Sequence, residues 1–174
     1  MARAPLSLKA RAIGLLAQRE HSRSELRRKL LRIEQQQRAR ITATRTAGAF
    51  DDGEAASDDE PAPEAANSVV EALLDTLAAA GYLDEARFVD SRLHIRAGRF
   101  GTQRIQQELA QHGLRLDAEQ QAALRATELE RAREVWLRRF GAEPSRNPEE
   151  RARQTRFLLT RGFAPEVVHR LLRA

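Results

Sequence analysis

Short stretches of helical periodicity that stop at a glycine most limit how this chain can fold. Residues 106–114 (QQELAQHGL) and 154–163 (QTRFLLTRGF) both end a helix pattern with a basic residue or histidine, a glycine and an apolar residue. Glycine readily adopts the left-handed backbone that ends many helices, so each segment predicts a helix that stops and turns. Residues 24–31 (SELRRKLL) resemble the body of the same helix without its glycine. The pattern favours a helical unit that recurs along the chain.

Apolar spacing along the chain predicts about nine helices. The second helix is predicted to open at a capping box, Ser22-Arg-Ser-Glu25, and to end near Ile33. From about 40 to 66 the sequence is acidic and rich in alanine, proline and glycine, which is typical of a mobile loop. A second capping box, at residues 68–71, predicts that a helix restarts at Ser68.

These helices predict an all-α fold of three tandem three-helix repeats, forming an elongated, curved, solenoid-like body. The first repeat covers 1–80 and carries the mobile acidic insert at about 40–66. The second, central repeat covers 81–126 and the third covers 127–174. The similarity between repeats is weak, so nine helices packed in an unrelated way remain an alternative at this point.

The composition offers little for catalysis. The chain has no cysteine, and its four histidines are scattered without metal-ligand spacing. Serines and acids fall mostly at helix starts, where capping explains them, and no nucleophile with a base and an orienting partner emerges. We therefore expect no enzyme activity, no metal, no cofactor and no small-molecule substrate. No apolar run reaches the ~20 residues that span a bilayer, so we expect a cytoplasmic protein that does not contact membranes.

Charge points to acidic partners. The formal net charge of +5 includes seven acids in residues 51–64, and the rest of the chain carries +12. Of the 30 basic residues 28 are arginine, whose planar guanidinium binds phosphates and carboxylates in pairs of hydrogen bonds. Arginine richness can also reflect codon usage alone, which accounts for abundance but not for clustering.

The main cluster surrounds residues 95–105, IRAGRFGTQRI. A phosphate-binding P-loop is a poor interpretation, because a helix and not a strand precedes these glycines. A joint between helices fits better, with Gly98 ending one helix and Gly101 permitting the turn into the next. Helical spacing puts a set of arginines on one side beside an apolar stripe that includes Phe88 and Ile95, and the set continues into the next helix: Arg92, Arg96, Arg99 and Arg104. Their stems can simply cover the core while the charged ends stay in water, or the set can form a ridge that meets acids or phosphates.

A second cluster, Arg27-Arg28-Lys29, lies on the second predicted helix. Residues 1–45 hold twelve bases against three acids, so non-specific nucleic-acid binding is a real alternative. Few aromatics lie near basic residues, and a stacking platform for single strands is not visible.

At residues 81–114 the sequence resembles the central repeat of the RecX family. The matching positions include three helix-ending or turn glycines, the joint aromatics and several charged residues: Gly81, Leu83, Asp84, Phe88, Arg96, Phe100, Gly101, Arg104, Ile105, Glu108, Leu109 and Gly113. Residues 22–31, SRSELRRKLL, are similar to the family's N-terminal repeat.

The resemblance implies a negative regulator of recombination and DNA repair. Such a protein lodges in the groove of the RecA recombinase filament and inhibits its ATPase and strand-exchange activities. Apart from the resemblance, we expect this chain to be a monomer without cofactors. The contact residues that we predict are the two clusters, Arg27, Arg28, Lys29, Arg92, Arg96, Arg99 and Arg104, with Phe88, Phe100, Ile105 and Leu109 holding the joint. The alternative is a helical module that binds single-stranded DNA and competes with the recombinase for it.

Overall fold

The structure, a computed structural model, describes residues 6–48, 63–141 and 147–173. These residues form nine α-helices and no strand. The helices are α1 (Leu8–Gln18), α2 (Arg23–Gly48), α3 (Pro63–Ala79), α4 (Glu85–Ala97), α5 (Thr102–Gln111), α6 (Ala118–Ala126), α7 (Glu128–Phe140), α8 (Pro148–Thr160) and α9 (Pro165–Arg173).

The buried apolar side chains of the described residues form three clusters, one for each successive group of three helices. Helices α1 to α3 and the following turn bury Ala12, Leu26, Leu30, Val70, Leu74, Leu77 and Leu83. Helices α4 to α6 bury Phe88, Val89, Ile105, Leu109 and Leu124. Helices α7 to α9 bury Ala132, Val135, Trp136, Leu158, Phe163, Val168, Leu171 and Leu172. The predicted all-α, helical-repeat fold is confirmed.

The chain divides into two compact units, Met1–Glu85 and Ala86–Ala174. The first contains the cluster of α1 to α3, and the second contains the clusters of α4 to α6 and of α7 to α9. The repeat boundaries at 80/81 and 126/127 remain predictions.

Helix α2 is longer than predicted. It continues past Ile33 to Gly48, and α3 begins at Pro63 instead of at a cap on Ser68. The Ser68 hydroxyl donates to the Glu64 carbonyl within α3, so it caps nothing. The sequence after Ile33 is polar, which led to the prediction that the helix ends there. Glutamine, arginine and alanine are nevertheless good helix formers, and they continue the helix. The remainder of the predicted mobile insert, 49–62, lies outside the described residues.

The predicted helix ends are confirmed. Gly113 and Gly162 both have φ of 79°, which an L-residue with a side chain rarely adopts. The amide of Leu114 bonds back to the Leu109 carbonyl at 3.0 Å, and the amide of Phe163 bonds back to the Leu158 carbonyl at 3.3 Å. These are the bonds of a Schellman-type stop, and they turn the chain toward α6 and α9.

Candidate interaction surface

The first predicted cluster lies on α2 and is partly neutralised. Arg27 Nε donates to Glu71 Oε1 at 2.5 Å, and Lys29 Nζ lies 3.6 Å from Glu25 Oε1. Arg28 is exposed, and its Nε donates only to the Ser24 carbonyl, at 3.4 Å. Arg28 is therefore the member of this cluster whose charge is not balanced by a carboxylate among the described residues.

The predicted cap of α2 forms and extends into a charged network. Ser22 Oγ accepts from the Glu25 amide at 3.2 Å, and the Glu25 carboxylate accepts from both terminal nitrogens of Arg19. Burial raises the pKa of Glu25, but the Arg19 hydrogen bond and the neighbouring positive charges lower it by more, to about 2. His21 is buried beside it, and burial together with the Arg19 charge lowers the His21 pKa. Glu25 thus stays ionised and fixes the start of α2.

On α4, two of the predicted arginines share one carboxylate. Arg92 Nη1 lies 3.3 Å and Arg96 Nη2 lies 3.0 Å from the same oxygen, Glu108 Oε1, on α5. Their guanidinium groups also lie over aromatic rings, Arg92 at 5.0 Å from the Phe88 centre and Arg96 at 5.3 Å from the Phe100 centre. One acid balances only one of the two cations. Both side chains also keep some exposure, 20% for Arg92 and 32% for Arg96.

The other two predicted arginines are more exposed than Arg92 and Arg96. Arg99, in the turn that follows α4, and Arg104, in the first turn of α5, are exposed. Neither guanidinium has an ion-pair or hydrogen-bond partner within the described ranges. We call Arg92, Arg96, Arg99 and Arg104 the α4–α5 ridge. Arg99 and Arg104 have all the N–H donors of their guanidinium groups available to a partner.

The apolar stripe expected beside the ridge is only partly buried. Phe88 is fully buried, but Ile95 is 57% exposed, so only part of the predicted stripe lies in the core. Ile95 lies three residues after Arg92 on α4, which puts the two side chains on the same helical face. An exposed apolar side chain, Ile95, therefore lies beside the arginines of the ridge.

The joint at residues 98–101 depends on a close approach of two backbones. Gly101 has φ of −77° and ψ of 168°, an extended conformation open to any residue, so the expected need for a special turn angle is not what selects glycine here. Instead, a Cβ at Gly101 would overlap the Gly162 carbonyl oxygen and the Phe163 amide nitrogen. The Gly101 amide donates to the Arg161 carbonyl at 2.9 Å, and the Gln103 amide donates to the Gly162 carbonyl at 3.1 Å. The stop after α8 is thereby bonded to the start of α5.

Two charged residues of α7 complete the joint, and neither of them was predicted from the sequence. Glu128 is buried, and its Oε1 accepts from the Thr102 amide at 2.9 Å, which satisfies an orphan donor at the start of α5. Arg131 donates from Nη1 to the carbonyls of Ala97 and Phe100, at 3.0 and 2.8 Å, and from Nη2 to the Leu124 carbonyl at 2.7 Å. Burial lowers the Arg131 pKa, with the Glu128 charge acting against it. The joint that positions the ridge is thus held by hydrogen bonds with both the end of α8 and α7.

Other kinds of site find no support in the part of the chain that the structure covers. The described residues contain no group of three or more histidines, cysteines or carboxylates placed to hold a metal ion. Among the described helices, none has the length and apolarity to cross a membrane.

Comparison with known proteins agrees with this architecture. Residues 126–172, which include α7, α8 and all but the last residue of α9, match the family model described as RecX, third three-helix domain. A regulatory protein RecX from Leptothrix cholodnii is 46% identical over 174 residues, covering 98% of this chain and 90% of the relative.

The chain belongs to the RecX family. Two further proteins named regulatory protein RecX support the assignment. The one from Ralstonia nicotianae is 44% identical and covers 98% of this chain and 89% of its own length. The one from Herminiimonas arsenicoxydans is 43% identical, and the match covers 100% of this chain and 96% of the relative. The resemblance to the RecX family seen in residues 81–114 is confirmed, and a regulatory role follows for the chain.

Proposed function

We propose that this RecX-family protein is a non-catalytic negative regulator that binds the RecA filament in the cytoplasm and inhibits its ATPase and strand-exchange activities. Family membership supports a regulatory role, and the relatives carry RecX in their names. The observation that carries the proposal is the α4–α5 ridge, where the Arg99 and Arg104 side chains are exposed and have no ion pair or hydrogen bond with a described residue.

The chemistry of the ridge suits an acidic protein surface. Arg99 and Arg104 offer ten N–H donors in two rigid forks, at about five per guanidinium. Ile95 adds an exposed apolar contact of the kind that anchors interfaces when charged groups surround it. Glu108 holds Arg92 and Arg96 in place while leaving a net positive charge on the three residues.

The fixed joint lowers the cost of binding. Hydrogen bonds from Gly101 and Gln103 to the α8 stop, and from Arg131 to the end of α4, set the ridge before a partner arrives. Side chains on a preorganised backbone lose less conformational freedom on association than side chains on a loop. Arg27, Arg28 and Lys29 form a second contact in the proposal, with Arg28 as its main charge. We propose that a monomer makes these contacts without a cofactor.

Charge reversal at the ridge tests the contact. We expect the Arg99→Glu/Arg104→Glu double variant to inhibit the RecA ATPase at least about tenfold less effectively, because two attractive charges become repulsive at an interface. The measurement is the concentration of regulator that halves DNA-dependent ATP hydrolysis. Both side chains are exposed and unpartnered, so circular dichroism should show an intact fold.

Arg125→Glu/Arg170→Glu is the matched control, because both are exposed arginines outside the ridge with no ion pair among the described residues, and the net charge changes equally. The control should inhibit like the unmodified protein. If the double variant also inhibits normally while folded, the ridge is not the filament contact.

A further inference from the structure

Four arginines of the second unit surround a shallow depression that lies beside the joint. Arg99, Arg138, Arg139 and Arg161 line it together with Gly98, Val135 and Phe157, and its volume is about 250 Å³. The lining comes from the end of α4, the last turns of α7 and the end of α8. We call this feature the basic depression. Only Arg99 is shared with the α4–α5 ridge.

The charges of the basic depression are not balanced from within. No carboxylate is among the lining residues, and none of the four guanidinium groups has an ion pair with a described residue. Arg138 Nη2 donates to the Gly98 carbonyl at 2.6 Å, which fixes one guanidinium at the wall. Arg139 and Arg99 are exposed and have no partner in the described chain. Like charges gathered in one recess raise the local potential, and an anion bound there is stabilised by all of them.

The Phe157 ring in the depression is already covered by an arginine side chain. The Arg161 guanidinium carbon lies 3.9 Å from the centre of the Phe157 ring, and Phe157 packs edge-on against Phe140 at 5.0 Å between ring centres. A base that stacked on Phe157 would have to displace Arg161. The depression therefore offers guanidinium donors for anions and no free ring for reading or stacking bases.

We propose that the basic depression binds the phosphodiester backbone of single-stranded DNA without regard to base sequence. Phosphate oxygens match the guanidinium fork, and a flexible strand can turn neighbouring phosphates into one recess. Every nucleotide supplies such a group, whereas an acidic peptide supplies one only where its sequence has an acid. This contact is separate from the proposed filament contact, because Arg138, Arg139 and Arg161 are not part of the ridge.

Binding of the full chain to fluorescein-labelled oligothymidylate, followed by anisotropy over a salt series, tests the proposal. Arg139→Gln and Arg161→Gln should each weaken binding several-fold and reduce the slope of log affinity against log salt by about 0.7, the loss expected for one phosphate contact on a single strand. Arg125→Gln and Arg170→Gln are the controls, since both arginines are exposed, lie outside the depression and change the net charge equally. The controls should leave the slope within error of the unmodified protein.

Three results would overturn the proposal. Equal losses in the control variants would show that binding follows the total charge and not this site. Binding of a methylphosphonate oligothymidylate, which has the same bases without backbone charge, would show that phosphates are not the ligand. Displacement of the oligonucleotide by polyglutamate at equal charge concentration would identify an acidic polypeptide as the occupant. Arg139→Gln and Arg161→Gln leave all four arginines of the α4–α5 ridge in place. The ATPase result for the Arg99→Glu/Arg104→Glu variant is therefore obtained independently of them, and the two proposals fail separately.

Discussion

Replacing Gly101 with alanine should destabilise the second unit by about 2–4 kcal/mol. The added Cβ overlaps backbone atoms of Gly162 and Phe163, which have no rotamer to move away. Overpacking commonly costs about 1–3 kcal/mol, and separating the two backbones also weakens two hydrogen bonds worth about 0.5–1.5 kcal/mol each. Urea unfolding followed by Trp136 fluorescence measures this directly, because Trp136 is the sole tryptophan and is buried in the cluster of α7 to α9.

Gly98→Ala is a matched control three residues away. A Cβ at Gly98 meets no atom within 4 Å, and its φ is not in the left-handed region. We expect a change within about 0.5 kcal/mol, as for most exposed substitutions. If both alanine variants unfold at the same urea concentration, the contact between residues 101 and 162 does not constrain the joint.

Replacing Arg131 with methionine should cost about 2–3 kcal/mol. Methionine retains much of the aliphatic length but donates nothing to the carbonyls of Ala97, Phe100 and Leu124. Hydrogen bonds to a charged donor contribute about 1.5–3 kcal/mol, and the part-buried carbonyls lose their partner when it is removed. Loss of the fixed α4 end should also weaken ATPase inhibition, although Arg131 itself contacts no partner in the proposal.

Arg133→Met on the same helix separates this effect from a general loss of arginine. Arg133 is exposed and has no partner among the described residues, so its replacement should change the Trp136 unfolding midpoint little. Equal midpoints for the Arg131 and Arg133 variants would mean that the carbonyl bonds contribute nothing to the joint.

The helices and their stops could be predicted because their signals are local. Glycine followed by an apolar residue marks the ends of α5 and α8, and the spacing of Leu26 and Leu30 marks a buried helix face. The extension of α2 to Gly48 was not predicted. Its residues favour a helix but form no apolar face, and a polar segment without such a face looks like a loop when apolar spacing is used to predict helices.

The joint could not be predicted in detail because its contacts join residues far apart in sequence. Gly101 and Gly162 are separated by 61 positions, and nothing in either segment indicates that the two backbones meet. Arg131, Arg138 and Arg161 look like the other arginines of an arginine-rich chain, and only packing shows which carbonyl or ring each one contacts. Clustering in sequence selected Arg99 and Arg104, which the structure leaves exposed, together with Arg27 and Arg92, which the structure pairs with carboxylates.

The dose needed to inhibit the RecA ATPase at saturating single-stranded DNA tests the central claim most directly. A regulator that binds the filament should halve ATP hydrolysis when its concentration is far below that of the DNA sites, because it acts on assembled protomers and not on free DNA. The contrary result is inhibition that begins only when the protein approaches the number of DNA sites and that added single-stranded DNA relieves. That outcome would make competition for DNA, and not filament binding, the mode of action of this RecX-family protein.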